Sequence, residues 1–334
     1  MAEDRARGRG STIGHARARV TSLAACGLVV GHATESAGAT GCTVIRGATQ
    51  AFRCGVSIVG RATGTRELAL LAPGQLVDRV DAILLAGGSA YGLDAAAGVM
   101  RWMEERGRGF DVGAGVVPIV PGAVLFDLAP LGRFEARPTA AMGYDACERA
   151  SDEVVEGSVG AGTGATVGKA AGAGSAMKGG LGCGAASAGA LEVRAIAAVN
   201  ALGDVRDGTG AIIAGARDAS GAWMDSAAWL ARGGGESARS DAHVGRNTTL
   251  CVVATNARLD VAALTALARA ASAALYRRIT PVATPFDGDV VFATSPMTGG
   301  VDAPLAQIEA LAVHALEMAI ERGVRTRAPG VILE

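Results

Sequence analysis

The chain has 334 residues, is 50% hydrophobic and carries a formal net charge of −1. That length and apolar content can fill one large core or two ordinary ones. Near-neutral charge without a block of like charges removes the electrostatic footprint of a nucleic-acid or membrane-surface binder, leaving small molecules and peptides as the expected partners.

No stretch of about 18 strongly apolar residues is available to span a bilayer. Met1 to Gly14 lack the apolar core of a secretory signal, so the expected address is the cytoplasm. The six cysteines (Cys26, Cys42, Cys54, Cys147, Cys183, Cys251) show no C-x-x-C spacing and read as small buried apolar residues. The four histidines (His15, His32, His243, His314) include no i, i+4 pair, so neither a metal nor a cofactor is expected. Basic residues are almost all Arg. The only two lysines, Lys169 and Lys178, fall in the most glycine-rich part of the chain, where an amine able to lose its proton is the distinguishing property.

From Ser22 to Gly60 short Val, Ile and Cys strands alternate with glycines. Asp81 to Ala86 reads as a buried strand running into Gly87-Gly88-Ser89-Ala90-Tyr91-Gly92. An amphipathic helix follows over Leu93 to Glu105 and stops at Gly107. Val116 to Leu128 is apolar but contains Pro118 and Pro121, which predicts an irregular or edge strand. Ser158 to Gly189 has the composition of a flexible linker, yet its apolar bulk and flanking strands predict close-packed backbone lining a site.

Strands are expected at Val193 to Asn200 and Ala211 to Ala214, followed by a polar loop from Asp218 to Arg246. Thr249 to Thr255 is a strong strand, and Asp260 caps a helix reaching Arg278. Asp289 to Thr294 is a further strand, and Asp302 is expected to cap a final helix to Arg322. Strands first, then strand and helix in alternation, predict a layered α/β architecture.

Three stretches carry possible chemistry. In Gly245-Arg246-Asn247-Thr248-Thr249-Leu250 a polar loop turns abruptly into a buried strand. If the bond before Thr248 were cut, the new α-amino group, with a reference pKa of about 7.7–8.0, would suit a base for the same residue's hydroxyl. An ordinary turn into a β-branched strand start is the competing reading. In Pro285-Phe286-Asp287-Gly288-Asp289 two carboxylates two residues apart share one face of an extended segment and can serve one cation, or the segment is a solvent-exposed Asp-Gly turn. Gly160 to Lys169 suggests a phosphate loop, but Thr163 and Ala170 stand where that pattern needs glycine and a hydroxyl residue. Lys169 remains either a buried amine or an exposed loop lysine.

Together, Gly87-Gly88-Ser89-Ala90-Tyr91-Gly92-Leu93, the glycine run ending in Lys169, Ala198-Val199-Asn200, Asn247-Thr248-Thr249 and Asp287-Gly288-Asp289 resemble, in order, the DmpA-type aminopeptidases. That family includes β-aminopeptidases and the nylon-oligomer hydrolase. The resemblance implies an αββα sandwich and self-cleavage into a large part, 1–247, and a small part, 248–334, that stay in one domain. It also implies homo-oligomeric assembly, as a tetramer or similar, and peptide or amide substrates.

By resemblance Thr248 is the nucleophile and Asn247 precedes the cut. Lys169 is a catalytic lysine, Asn200 lies near the reacting carbonyl, and Asp287 with Asp289 orients the new amine. Phe126 stands where some members carry a functional Tyr, so Tyr91 is the candidate replacement donor. Acyl transfer of the ornithine acetyltransferase type and non-catalytic nucleotide or small-molecule binding are the alternatives.

Overall fold

A computed structural model describes residues 21–234 and 246–325. His15, His243 and Gly245 of the sequence reading lie outside the described residues.

Two five-stranded sheets make the centre of the molecule. Across the first the order is Leu28–Glu35, Thr40–Gly47, Ala82–Ala86, Gly122–Val124 and Gly64–Arg66. Across the second it is Gly180–Ala188, Leu191–Asn200, Thr248–Thr255, Val290–Pro296 and Phe52–Ile58. Side chains alternate between faces along each strand, which sorts the apolar residues into layers. Ile83, Leu85, Leu181, Ile196, Leu250, Val252 and Phe292 meet in the core between the sheets. Leu84 and Val44 instead face Val99, Trp102 and Met103 of the helix Ala95–Glu104, on the outside of the first sheet. Cys251 and Val253 face Leu264, Leu267, Ile308 and Leu316 of the helices Val261–Ala271 and Leu305–Arg325, outside the second. The four layers are the αββα sandwich that the motifs implied.

Most predicted elements fall within a residue or two of the observed ones. The helix expected over 93–105 is a 3₁₀ turn, Ser89–Asp94, followed by Ala95–Glu104. Asp260 accepts from the Ala263 N–H at 2.8 Å, as a cap should, but that helix breaks at Ser272 into Val261–Ala271 and Ala273–Arg278.

Two expectations are corrected. Val116 to Leu128 is irregular as expected, with strand only at Val116–Val117 and Gly122–Val124, but it is not an edge. Gly122–Val124 is an inner strand, parallel to Ala82–Ala86 and antiparallel to Gly64–Arg66, and Pro118 and Pro121 lie before it, so its ladder loses no N–H donor. Asp302 does not cap the last helix, which begins at Leu305 after Pro304. Proline holds the residue before it extended, so the helix starts too late for Asp302 to reach it. Asp302 pairs with Arg258 at 3.5 Å instead.

Register in the second sheet fixes which residues meet at its end. Asn200 lies opposite Thr248 in antiparallel pairing. On the other side Leu250 aligns with Val290 in parallel pairing, which brings Asn247 beside Asp287. Three strand ends thus converge at one edge of the core.

Candidate active site

Thr248, Asn247, Asn200, Lys169, Asp287 and Asp289 are all buried at this edge. Thr248 and Asn200 end their strands, and Asn247, Asp287 and Asp289 lie just before theirs; Lys169 comes from the glycine-rich stretch, whose residues 160–170 are wholly buried rather than a mobile linker. The Gly168 and Lys169 N–H groups donate to the carbonyls of Gly203 at 3.0 Å and Leu202 at 2.9 Å, tying that stretch to the turn after Asn200.

The Lys169 ammonium donates to Asn200 Oδ1 at 2.8 Å, to the Asn200 carbonyl at 3.1 Å and to the Arg246 carbonyl at 3.3 Å. Asn200 is fixed at both ends of its amide. Its Oδ1 also accepts from the Thr166 N–H at 3.0 Å, and its Nδ2 donates to the Phe126 carbonyl at 3.0 Å and the Arg246 carbonyl at 3.4 Å.

At the Asn247–Thr248 bond the Thr248 hydroxyl donates to the Asn247 carbonyl oxygen at 2.5 Å, and the Gly288 N–H donates to the same oxygen at 2.8 Å. That carbonyl is therefore polarised by two donors, one of them the Thr248 hydroxyl. Glycine at 288 is what admits this approach. A Cβ there would stand 2.7 Å from Thr248 Oγ1 and 2.6 Å from the Ala62 carbonyl oxygen.

The two aspartates are held by donors of their own. Asp287 accepts from the Thr284 N–H at 2.8 Å and hydroxyl at 2.6 Å, and Asp289 accepts from the Thr249 N–H at 2.6 Å. Burial raises the Asp287 carboxyl, and burial followed by the Asp287 charge pushes Asp289 up to about 8. Desolvation pulls the Lys169 ammonium down to about 7, against the opposing pull of Asp287, Asp127 and Asp289. Asp289 and Lys169 are thus both shifted towards neutrality, the range in which acid-base chemistry at pH 7 works.

Phe126 reaches this group through its carbonyl, and its ring lies 5.4 Å from the Arg246 guanidinium. Tyr91 stands apart: it is 53% exposed, stacked on Arg137 at 3.6 Å and edge-on to Phe134 at 6.3 Å. Gly288, Thr166 and Thr284 were missed by the sequence reading. Gly288 and Thr166 act through main-chain N–H groups, which leave no side-chain signature. A cavity of about 50 Å³ beside Lys169 is lined by Ala129, Pro130, Ala173, Leu202, Arg246 and Asn247. A larger groove of about 590 Å³, between residues 72–78 and the start of the helix Val261–Ala271, holds none of these groups.

The model of peptidase family S58 matches residues 25–329. The chain belongs to that family. It is a hydrolase of peptide or amide bonds, an aminopeptidase or amidase, and the resemblance read from five motifs is borne out. An uncharacterised aminopeptidase of Mycobacterium tuberculosis is 42% identical over 271 residues, covering 76% of this chain and 76% of the relative. The 6-aminohexanoate-oligomer endohydrolase of a Kocuria species is 32% identical over 285 residues, 83% of this chain and 75% of that one.

Among solved structures, the L-aminopeptidase D-Ala-esterase/amidase of Ochrobactrum anthropi superposes with a TM-score of 0.65 at 20% identity. It covers 89% of this chain and 83% of its own, and it is described as a variant of the Ntn hydrolase fold. A Burkholderia β-aminopeptidase gives 0.63 at 19% identity, with 91% and 86% covered. The acyltransferase and nucleotide-binding alternatives are not favoured. The amine on which nucleotide binding depended, Lys169, is committed to Asn200 and the Arg246 carbonyl. Among the described residues no helix is long and apolar enough to cross a membrane.

Proposed function

We propose that this hydrolase cuts its own Asn247–Thr248 bond and then uses Thr248 as an N-terminal nucleophile on short peptides or small amides. The observation that carries the reading is the Asn247 carbonyl oxygen, 2.5 Å from the Thr248 hydroxyl and 2.8 Å from the Gly288 N–H. In self-cleavage the Thr248 oxygen bonds to the Asn247 carbonyl carbon, and the negative charge that forms on the oxygen is met by the Gly288 N–H. The C–N bond then breaks as the Thr248 nitrogen takes a proton, leaving an ester. Water hydrolyses the ester to a carboxylate on Asn247 and restores the hydroxyl. Lys169, with a proton affinity near neutrality, is the group suited to exchange protons in these steps.

In turnover the freed α-amino group takes the proton of the Thr248 hydroxyl as that oxygen attacks a substrate amide, and passes it to the leaving amine. Asp287 and Asp289 hold the new ammonium, while Asn200 and Lys169 steady charge on the substrate oxygen, a contribution of about 3 kcal/mol per donor. The cavity of about 50 Å³ has room for a water and little more while Arg246 and Asn247 help to line it. The acyl part of a substrate takes the space that the severed end at Asn247 gives up.

The division is 1–247 and 248–334, and both parts stay in one fold because Thr248–Thr255 is paired on each side within its sheet. Denaturing electrophoresis with N-terminal sequencing tests the reading. The smaller fragment should begin Thr-Thr-Leu-Cys, and a single intact band, or a fragment starting elsewhere, sinks it.

A further inference from the structure

Lys178, the second of the two lysines, has no part in the chemistry above. It lies in a two-residue strand, Met177–Lys178, opposite Thr166 in antiparallel register. Its ammonium donates to the carbonyls of Gly162 at 2.8 Å, Ala165 at 3.1 Å and Gly179 at 3.0 Å. All three of its donors are thereby used. Two of the acceptors belong to the turn that leads directly into Thr166, whose N–H fixes Asn200 Oδ1.

The other end of the Asn200 amide rests on Phe126, and the next residue, Asp127, is fully buried. Its carboxylate accepts from the Gly88 N–H at 2.7 Å and the Thr40 hydroxyl at 2.8 Å. The turn gripped by Lys178 packs on this aspartate. A Cβ on Gly164 would stand 2.7 Å from Asp127 Cβ and 3.0 Å from its Oδ2. Both ends of the Asn200 amide are therefore held by main-chain groups, one gripped by a half-buried cation and the other adjoining a buried anion. Asp127 is the charge that Lys178 feels, and Lys169 faces Asp287, Asp127 and Asp289.

We propose that Lys178 and Asp127 are positioning residues that clamp the Asn200 amide from behind, and through it set the Lys169 ammonium for the chemistry at Thr248. The clamp rests on the Thr248 reading and adds to it. A lysine that only satisfies three carbonyls would matter for folding and nothing else, and the two roles separate by experiment.

The test uses the full chain with Lys178→Met and, separately, Asp127→Asn. Thermal unfolding, the rate of appearance of the cut band, and kcat and KM for alanine p-nitroanilide are measured across pH. With the clamp, Lys178→Met cuts about tenfold or more slowly and loses kcat by a similar factor, while KM stays within about twofold. Asp127→Asn removes a negative charge near Lys169, so the midpoint of the pH–rate profile moves to lower pH by about half a unit or more. A lowered melting temperature with wild-type cutting rate and kcat overturns the clamp. If Lys178→Met does not fold, Asp127→Asn decides: an about tenfold loss of cutting rate and of kcat at the plateau of its pH profile supports the clamp, and a shifted midpoint with wild-type plateau rates overturns it. A wild-type chain that is neither cut nor active overturns the Thr248 reading itself, whereas a cut and active wild type with unaltered variants overturns only the clamp.

Discussion

Asn200 and Thr248 face each other across neighbouring antiparallel strands, each the terminal residue of its strand. A one-residue slip of either strand would turn that strand's side chain to the opposite face of the sheet and separate the two. The pairing of two ordinary strands therefore places a hydroxyl, an amide and, through the amide, the Lys169 ammonium at one point.

Thr248→Ala should remain a single chain indefinitely, because the attacking oxygen is gone. Thr248→Ser keeps that oxygen and should still be cut, with a rate set by a hydroxyl less rigidly held than that of a β-branched residue. Time courses on denaturing gels distinguish the two. Cutting in the alanine variant would remove Thr248 from the chemistry.

Gly288→Ala should slow cutting by about tenfold or more. Its methyl group would press on Thr248 Oγ1 and on the Ala62 carbonyl, moving the donor that meets the Asn247 oxygen. The gel time course measures it, with thermal unfolding as the check on folding. An unchanged rate in a folded variant would remove the Gly288 N–H from the reaction.

Lys169→Arg retains a cation and loses the ability to release a proton near neutral pH. Turnover should fall about 100-fold. Rates near wild type would leave Lys169 with a purely electrostatic role.

Asp289 should also contribute a pH dependence of definite sign to stability. Its carboxyl titrates near 3.8 in the unfolded chain and is raised to about 8 in the fold. Between those values the folded state binds the extra proton, so this group's contribution is fully present below about 4 and is lost as pH rises through about 8. The slope is at most about 1.4 kcal/mol per pH unit. Lys169 acts in the opposite sense, and only above about 7. In a chain held uncut by Thr248→Ala, denaturant melts from pH 4 to 7 should give a more negative slope than after adding Asp289→Asn, because the raised Asp127 and Asp287 and the lowered His32 act equally in both variants. Equal slopes in the two variants would contradict the raised carboxyl.

The sandwich was legible in the sequence because its strands are long and apolar, as in Leu250 to Ala254, and because the colinear motifs belong to a known architecture. Thr248, Lys169, Asn200, Asp287 and Asp289 could be picked out because each carries its chemistry in a side chain within a recognisable string. The Gly288 and Thr166 N–H groups could not, since a main-chain donor looks the same at every position. Asp127 was hidden for another reason: its importance lies in contacts with Thr40 and Gly88, distant in the chain and brought near only by the first sheet. Pro118 and Pro121 misled the reading of Gly122–Val124, because a proline marks where pairing is interrupted and not which strand comes after it.

The position of Thr248 at the head of a strand paired on both sides carries one more consequence. Thr248 is an internal residue, so its amine is freed only when the Asn247–Thr248 bond is cut. If Thr248 is the nucleophile, the unfolded chain has no hydrolytic group to turn on its surroundings, and assembly of the second sheet is itself the act that arms the enzyme. Misfolded copies would stay chemically silent, and the fraction cut in a preparation would count the molecules that had folded.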